Sequence, residues 1–279
     1  MAELPLSSFQ PGARESRRTS KSGVQERMLR IGLDVVQQVG LTVSLEHIRV
    51  DELMSAAGVP KASFYRIWKS KEAYLGDLLE GALAPNEAGA AAFDPSTLKA
   101  AGRVIREHPD LLKDPDGRKR LFTEAIRVGA EQNFNTLKNS INWRSYTAAQ
   151  AALTSLPSGE LRDRLESALL RAETYFTTKM SDFYDELLPT LRYRFRRGAT
   201  SAHLAAAGAA VVEGLIARSL VREEFVNQKI PGRALDGGIA DWHLAAIGFL
   251  GVANELLEQD PDGDPGTAKD DHADAGHTA

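Results

Sequence analysis

Residues 50–71 read VDELMSAAGVPKASFYRIWKSK and predict two short helices joined by a tight turn. Apolar residues around Leu53 and Ala57 recur at helical spacing, which gives the first helix one buried face. Gly58 supplies the left-handed backbone that commonly ends a helix. Pro60 suits the first turn of the next helix, where a missing N–H costs little.

The second helix divides into an apolar face and an accessible face. Phe64, Ile67 and Trp68 recur at helical spacing and are expected to point inward. The remaining side chains are small, hydroxyl-bearing or basic: Lys61, Ala62, Ser63, Tyr65 and Arg66. Such a helix can approach the DNA major groove closely, reach base edges and neutralise phosphate charge.

Residues 57–75, AGVPKASFYRIWKSKEAYL, resemble the helix-turn-helix of the TetR family, whose usual form is close to AGVSxGTLYxHFxSKEAL. The identical positions are Ala57, Gly58, Val59, Tyr65, Ser70, Lys71, Glu72 and Ala73. Pro60, Ala62 and Ile67 depart from that form. The resemblance extends over about residues 24–83, and beyond them only length and helical character fit.

Ser70 is expected to cap a helix over residues 71–83, because a serine hydroxyl accepts from the free backbone amides of a first turn. Lys71 would then lie beside amides that also attract phosphate. The resemblance implies that Tyr65 and Lys71 contact the DNA backbone. It also implies an all-α fold, in which a three-helix helix-turn-helix domain precedes a larger helical domain for ligand binding and dimerisation.

The chain is long enough for two domains. The sequence predicts a disordered basic arm at 1–22, the DNA-binding domain at 23–84, a linker at 85–95, a helical domain at 96–259 and a disordered acidic tail at 260–279. The arm has two interpretations, a minor-groove contact or a solvated leader.

Helical periodicity gives the expected helix bounds. The predicted helices include 24–39, one capped by Ser44 and ending at Ala57, a long helix at 160–188, and two at 202–224 and 239–258. The basic and aromatic run at 191–197, LRYRFRR, is expected at a helix junction, with an acidic ligand or phosphate as the alternative partner.

The resemblance implies a pocket for a small effector in the larger domain. The aromatic candidates for its lining are Trp143, Tyr146, Tyr175, Phe176 and Phe183. Aromatic residues at helical spacing are more often core, and that interpretation stays open. For a homodimer, the apolar seams of the last two helices supply Leu204, Val211, Leu215, Trp242, Ala246, Phe249 and Ala253.

Charge distribution favours a DNA partner for the N-terminal part. Residues 1–71 hold 11 Lys and Arg against 7 Asp and Glu, whereas the whole chain holds 34 against 38. The chain has no Cys and no long apolar run, so we expect a cytoplasmic protein without disulfides or a membrane partner.

No nucleophile, phosphate-binding or zinc motif is present, and the sequence predicts neither an enzyme nor a cofactor or metal site. The resemblance implies a transcriptional regulator, with repression expected, that binds a palindromic operator in double-stranded DNA and is released by a small molecule. Two alternatives remain: a DNA-binding dimer that needs no ligand, and a helical adaptor that binds proteins.

Overall fold

The structure, a computed structural model, describes residues 21–84 and 95–260. The helices in these ranges are α1 (Lys21–Val39), α2 (Val50–Ala56), α3 (Lys61–Ile67), α4 (Lys71–Ala82), α5 (Pro95–Glu107), a 3-10 helix (Pro109–Lys113), α6 (Pro115–Lys138), α7 (Ile141–Ser155), α8 (Glu160–Thr190), α9 (Ser201–Ser219), α10 (Glu223–Asn227) and α11 (Leu244–Leu256). The strands are β1 (Tyr193–Phe195), β2 (Ile230–Arg233), β3 (Ile239–Trp242) and β4 (Leu257–Gln259). The prediction of an all-α fold is confirmed, apart from these short strands.

The chain forms two compact units, and the first is discontinuous in sequence. Its described part comprises residues 21–84 and 140–174, and the second unit comprises 95–139 and 175–260. The predicted helical domain at 96–259 is therefore interrupted. Residues 140–174 join the helix-turn-helix because Ala149, on α7, and Leu165, on α8, are fully buried in its core.

An aromatic cluster, made of Phe64, Trp68 and Tyr74, lies at the centre of the first unit. The ring centroid of Phe64 lies 5.0 Å from that of Trp68 and 5.6 Å from that of Tyr74. The Tyr74 hydroxyl donates to the carbonyl oxygen of Met28 at 2.9 Å, which joins α4 to α1. The helices meet closely because Gly32 has no side chain: a Cβ there would lie 2.3 Å from the Tyr74 oxygen.

The second unit packs α6, α9 and α11 around its own core, with α5 along α6. Two antiparallel ribbons complete it, β1 with β4 and β2 with β3. The run at 191–197 thus contains a strand and is not only a helix junction. In that strand, Arg194 pairs with Glu258 at 2.9 Å and with Asp260 at 3.5 Å.

Two helix starts differ from the prediction. The first helix begins at Lys21, so the predicted arm at 1–22 overlaps it by two residues. The second begins at Val50, and Ser44 does not cap it; the Ser44 hydroxyl accepts from the amide of Glu46 instead. The backbone of Leu45 has a φ of 57°, which no α-helix accommodates, while its side chain is buried.

The C-terminal prediction of two long helices is wrong in its boundaries. The helix expected at 202–224 ends at Ser219, and the residues from Ile239 to Trp242 form a strand. Residues 239–242 pair antiparallel with Ile230–Arg233, and Gly237, with a φ of 89°, lies in the turn of this β2–β3 hairpin.

The remaining predicted segments, the arm, the linker and the tail, lie outside the described residues except at their edges. None of the helices in the described ranges has the length and apolar character needed to span a lipid bilayer.

His243 is a buried capping residue of the second unit. The side chain is 2% exposed, and its Nδ1 accepts from the amide of Ala245 at 3.1 Å, which caps α11. Nε2 therefore carries the proton of the neutral ring. Burial, and then the charge of Lys229, lowers the pKa of His243 below 6.5, while Glu131 opposes and Lys138 adds to the shift.

We expect the wild-type protein to lose thermal stability as the pH falls below about 6.5, because the unfolded chain then binds a proton that folded His243 resists. The contribution of His243 to the free energy of unfolding is fully present above the pKa that this histidine has in the unfolded chain. It is lost as the pH falls through the lower pKa of His243 in the folded protein. H243N keeps a capping oxygen and cannot be protonated, so its unfolding temperature should fall less between about pH 7.5 and pH 5.5. The exposed His203 provides the control H203N; equal behaviour of the two variants would contradict the assignment.

Candidate nucleic-acid interface and cavity

The helix-turn-helix predicted at 50–71 is present as α2, a turn and α3. Gly58 has a φ of 60°, in the left-handed region that a turn requires here. Val59 is buried beneath the turn, and Pro60 immediately precedes α3. Because Phe64 and Trp68 are buried in the aromatic cluster, the opposite face of α3 is fixed toward solvent.

The five side chains predicted for the major groove lie on that accessible part of α3. Lys61, Ala62, Tyr65 and Arg66 are exposed, while Ser63 is half-buried. Tyr65 is 40% exposed, and its ring meets Phe64 edge to face with centroids 5.2 Å apart. The Tyr65 ring is therefore held against the core while part of the side chain remains accessible.

Ser70 caps α4, as predicted: its hydroxyl accepts from the amide of Ala73 at 3.1 Å. Lys71 follows at the first position of that helix, but its ammonium group is already paired. It donates to Asp51, on α2, whose other carboxylate oxygen lies 3.2 Å from the ammonium nitrogen of Lys61. The Lys71 hydrogen bond, followed by that from Lys61, lowers the pKa of Asp51.

Sequence reasoning missed the role of Asp51. A carboxylate thus lies between two of the predicted DNA-contacting cations, all with side chains at least 42% exposed. Exposed ion pairs contribute little net stability, because water competes with both partners. A phosphate group can therefore replace Asp51 as the partner of Lys61 and Lys71 at small cost.

The second unit contains a partly open apolar cavity of about 100 Å³. Its lining comes from α5, α6, α8, α9, α11 and the residue Leu191, and includes Phe122, Phe176, Met180, Phe183, Tyr184 and Phe249. Its polar side chains are those of Thr97, Asn133, Glu213 and the phenol Tyr184, and neither Lys nor Arg is among the described residues that line it.

The structure places two of the five predicted effector-pocket residues at this cavity, and whether an effector binds there stays a prediction. Phe176 and Phe183 line it, but Tyr175 does not. Trp143 and Tyr146 belong to the first unit, where Trp143 is buried and the Tyr146 hydroxyl donates to Glu173 at 3.0 Å. The error arises because helical spacing shows which residues share a face, not which unit that face packs in.

Several residues predicted at a dimer interface are buried within the chain itself: Leu204, Trp242, Ala246 and Ala253. These side chains stabilise the second unit and are not available to a partner. Phe249 is half-buried and lines the cavity, and Val211 and Leu215 are half-buried on α9. The exposed large hydrophobic residue on α11 is Ile247, at 38% exposed.

Neither the protein-family models nor the curated proteins include a match to the chain. Two solved structures are similar to the chain over 85% of its length. One is reduced NemR from E. coli, at 15% identity, with 99% of that chain covered and a TM-score of 0.43. The other is described as a putative TetR-family transcriptional regulator from Rhodococcus sp., at 16% identity, with 100% of that chain covered and a TM-score of 0.39. Because both TM-scores are below 0.5, the description of the fold depends on this chain's own helices.

If α3 and the start of α4 contact DNA, D51N should raise the affinity for duplex DNA by a few-fold. The substitution removes the carboxylate that competes with phosphate for Lys61 and Lys71. Fluorescence anisotropy with a labelled duplex at fixed salt measures the change. D110N is the matched control, because Asp110 also pairs with a lysine, Lys113, but in the second unit. Equal effects of the two variants would show that only net charge matters.

Proposed function

We propose that this protein is a TetR-like transcriptional regulator, acting as a repressor, that binds a palindromic operator as a homodimer. The observation that carries this proposal is the arrangement of α3. Its buried aromatic residues fix the helix, and its exposed face presents Lys61, Ala62, Tyr65 and Arg66. In this proposal Ser63 and Arg66 reach base edges, while Tyr65 and Lys71 contact phosphates.

A homodimer is part of the proposal because a single seven-residue helix reads few base pairs. Two copies related by a two-fold axis would place their reading helices in successive major grooves, about 34–36 Å apart. We propose that the two copies contact each other through the exposed small residues of α9 and Ile247 of α11. This surface replaces the interface predicted from sequence, most of whose residues are buried within the chain.

Selection of bound duplexes from a random DNA pool tests this function. We expect enrichment of a palindrome whose half-sites lie about one helical turn apart. On the selected duplex and on an unrelated one, K71A should weaken binding similarly and lower the slope of log affinity against log salt by about one. Affinity that does not respond to K71A, together with no enriched sequence, would favour the helical adaptor.

The effector in this proposal is an uncharged apolar molecule of about the size of benzene. The cavity is lined almost wholly by apolar groups, and within residues 21–84 and 95–260 no cationic side chain lines it that could pair with an anionic ligand. An apolar protein cavity of about 150 Å³ is known to remain dry and to bind benzene. Release from the operator requires the ligand to favour one state of the protein by roughly 4 kcal/mol or more, the usual margin of specific over non-specific binding.

We expect toluene to raise the unfolding temperature and to lower operator affinity, whereas benzoate, of similar shape but charged, should do neither. A209L places a larger side chain in the cavity lining and should abolish the response to toluene. A151L, at an exposed position of α7 in the first unit, is its control. A protein that binds its operator but does not respond to uncharged ligands would instead be a ligand-independent DNA-binding dimer.

A further inference from the structure

Arg164 on α8 contacts the part of the chain that follows the recognition helix. Its guanidinium donates to Asp77 at 2.5 Å and to the carbonyl oxygen of Ala73 at 3.1 Å. A third bond, from Nε to Glu80, is also 3.1 Å long. The Arg164 side chain is 22% exposed and that of Asp77 is 25% exposed, so these bonds are partly shielded from water.

Asp77 connects this guanidinium to the end of α3. Its second carboxylate oxygen accepts from the indole N–H of Trp68 at 2.7 Å. Trp68 is the C-cap residue of α3, and its side chain is 4% exposed. Because indole has one donor and no acceptor, Asp77 satisfies the only polar group of that side chain.

The backbone of α4 is shaped to receive Arg164. A Cβ at Gly76 would lie 2.6 Å from one guanidinium nitrogen and 2.7 Å from the guanidinium carbon. A side chain at this position would therefore displace the guanidinium from the place where it reaches Asp77 and Glu80 together. Three independent features, the charged pair, the indole bond and the missing side chain, meet at one place.

We propose that Arg164 is a positioning residue for DNA reading: through Asp77 it orients the Trp68 indole and thereby the C-terminal end of α3. This inference rests on the proposed function, because α3 is taken to be the reading helix. Arg164 itself lies about 90 residues from the helix-turn-helix in sequence and needs no contact with DNA. The fork of Arg is required, since a Lys at this position would offer a single point of charge.

The test uses the full chain and three variants: R164M, R164K and G76A. R164M should weaken binding to the selected operator by about tenfold or more, the effect of roughly one lost base contact. Binding to an unrelated duplex should change little, because phosphate contacts remain. R164K should be intermediate. R171M is the matched control, since Arg171 lies on the same helix, is exposed, and approaches Glu80 only to 3.9 Å.

A second readout follows the Trp68 indole proton directly by NMR hydrogen exchange, with W68F identifying its signal. Without Arg164, Asp77 is no longer held in position to accept from the Trp68 indole. The indole proton should therefore exchange about tenfold faster in R164M, and not in R171M. G76A provides the same test should R164M fail to fold, because alanine is the better helix former and yet displaces the guanidinium. It should lower the ratio of operator to unrelated-duplex affinity as R164M does.

Equal operator affinity and equal indole exchange in R164M and R171M would overturn the inference, as would unchanged exchange in G76A. Failure of the wild-type protein to bind any selected duplex would be a different result. It would overturn the proposed function, and with it the role of Arg164 in DNA reading, whatever the indole exchange shows.

Discussion

The mutual packing of Phe64, Trp68 and Tyr74 is the interaction on which the first unit depends. The helix α3 has seven residues, and an isolated helix of this length is unstable in water because nucleation costs more than its few hydrogen bonds return. Its geometry must therefore come from tertiary packing. Phe64 and Trp68 supply this by occupying the core beside Tyr74, whose hydroxyl in turn holds the backbone of α1.

Local features of this unit could be predicted from sequence because they depend on neighbouring residues. Gly58 can adopt the left-handed backbone of the turn that follows α2 because it has no side chain. Ser70 caps α4 because its hydroxyl accepts from the amide of Ala73, three residues away. The inward orientation of Phe64 follows from helical spacing alone. In each case the residue type and a short spacing determine the conformation, so no knowledge of distant packing is needed.

The features that escaped prediction depend on contacts between distant parts of the chain. Leu45 occupies left-handed backbone while its side chain is buried, so burial outweighs its local preference and α2 begins late. Trp143 is predicted to line a pocket because it is an aromatic residue of a helix, but it is buried in the first unit and does not line the cavity. Asp51 and Lys71 are 20 residues apart, and only the fold brings them together.

The surface proposed to meet DNA is partly neutralised by the protein itself. Lys61 and Lys71 share the carboxylate of Asp51 on α2, and Arg49, the N-cap residue of α2, pairs with Glu52 on that helix. These pairs lower the density of unpaired positive charge near α3 in the free protein. Since unpaired charge drives sequence-independent attraction to phosphate, the arrangement favours discrimination between duplexes over strength of attraction to any duplex.

The first unit is assembled from two separate stretches of chain, so it cannot be transferred to another protein as one continuous segment. A cassette ending near residue 84 would leave behind α7 and the start of α8, which bury Ala149, Ala152 and Leu165 in its core. The Ser145 hydroxyl that accepts from the amide of Leu41 at 3.0 Å would also be lost. A graft of this unit onto another protein therefore has to carry residues 140–174 as well, so the unit that contains α3 is a discontinuous module and not an N-terminal one.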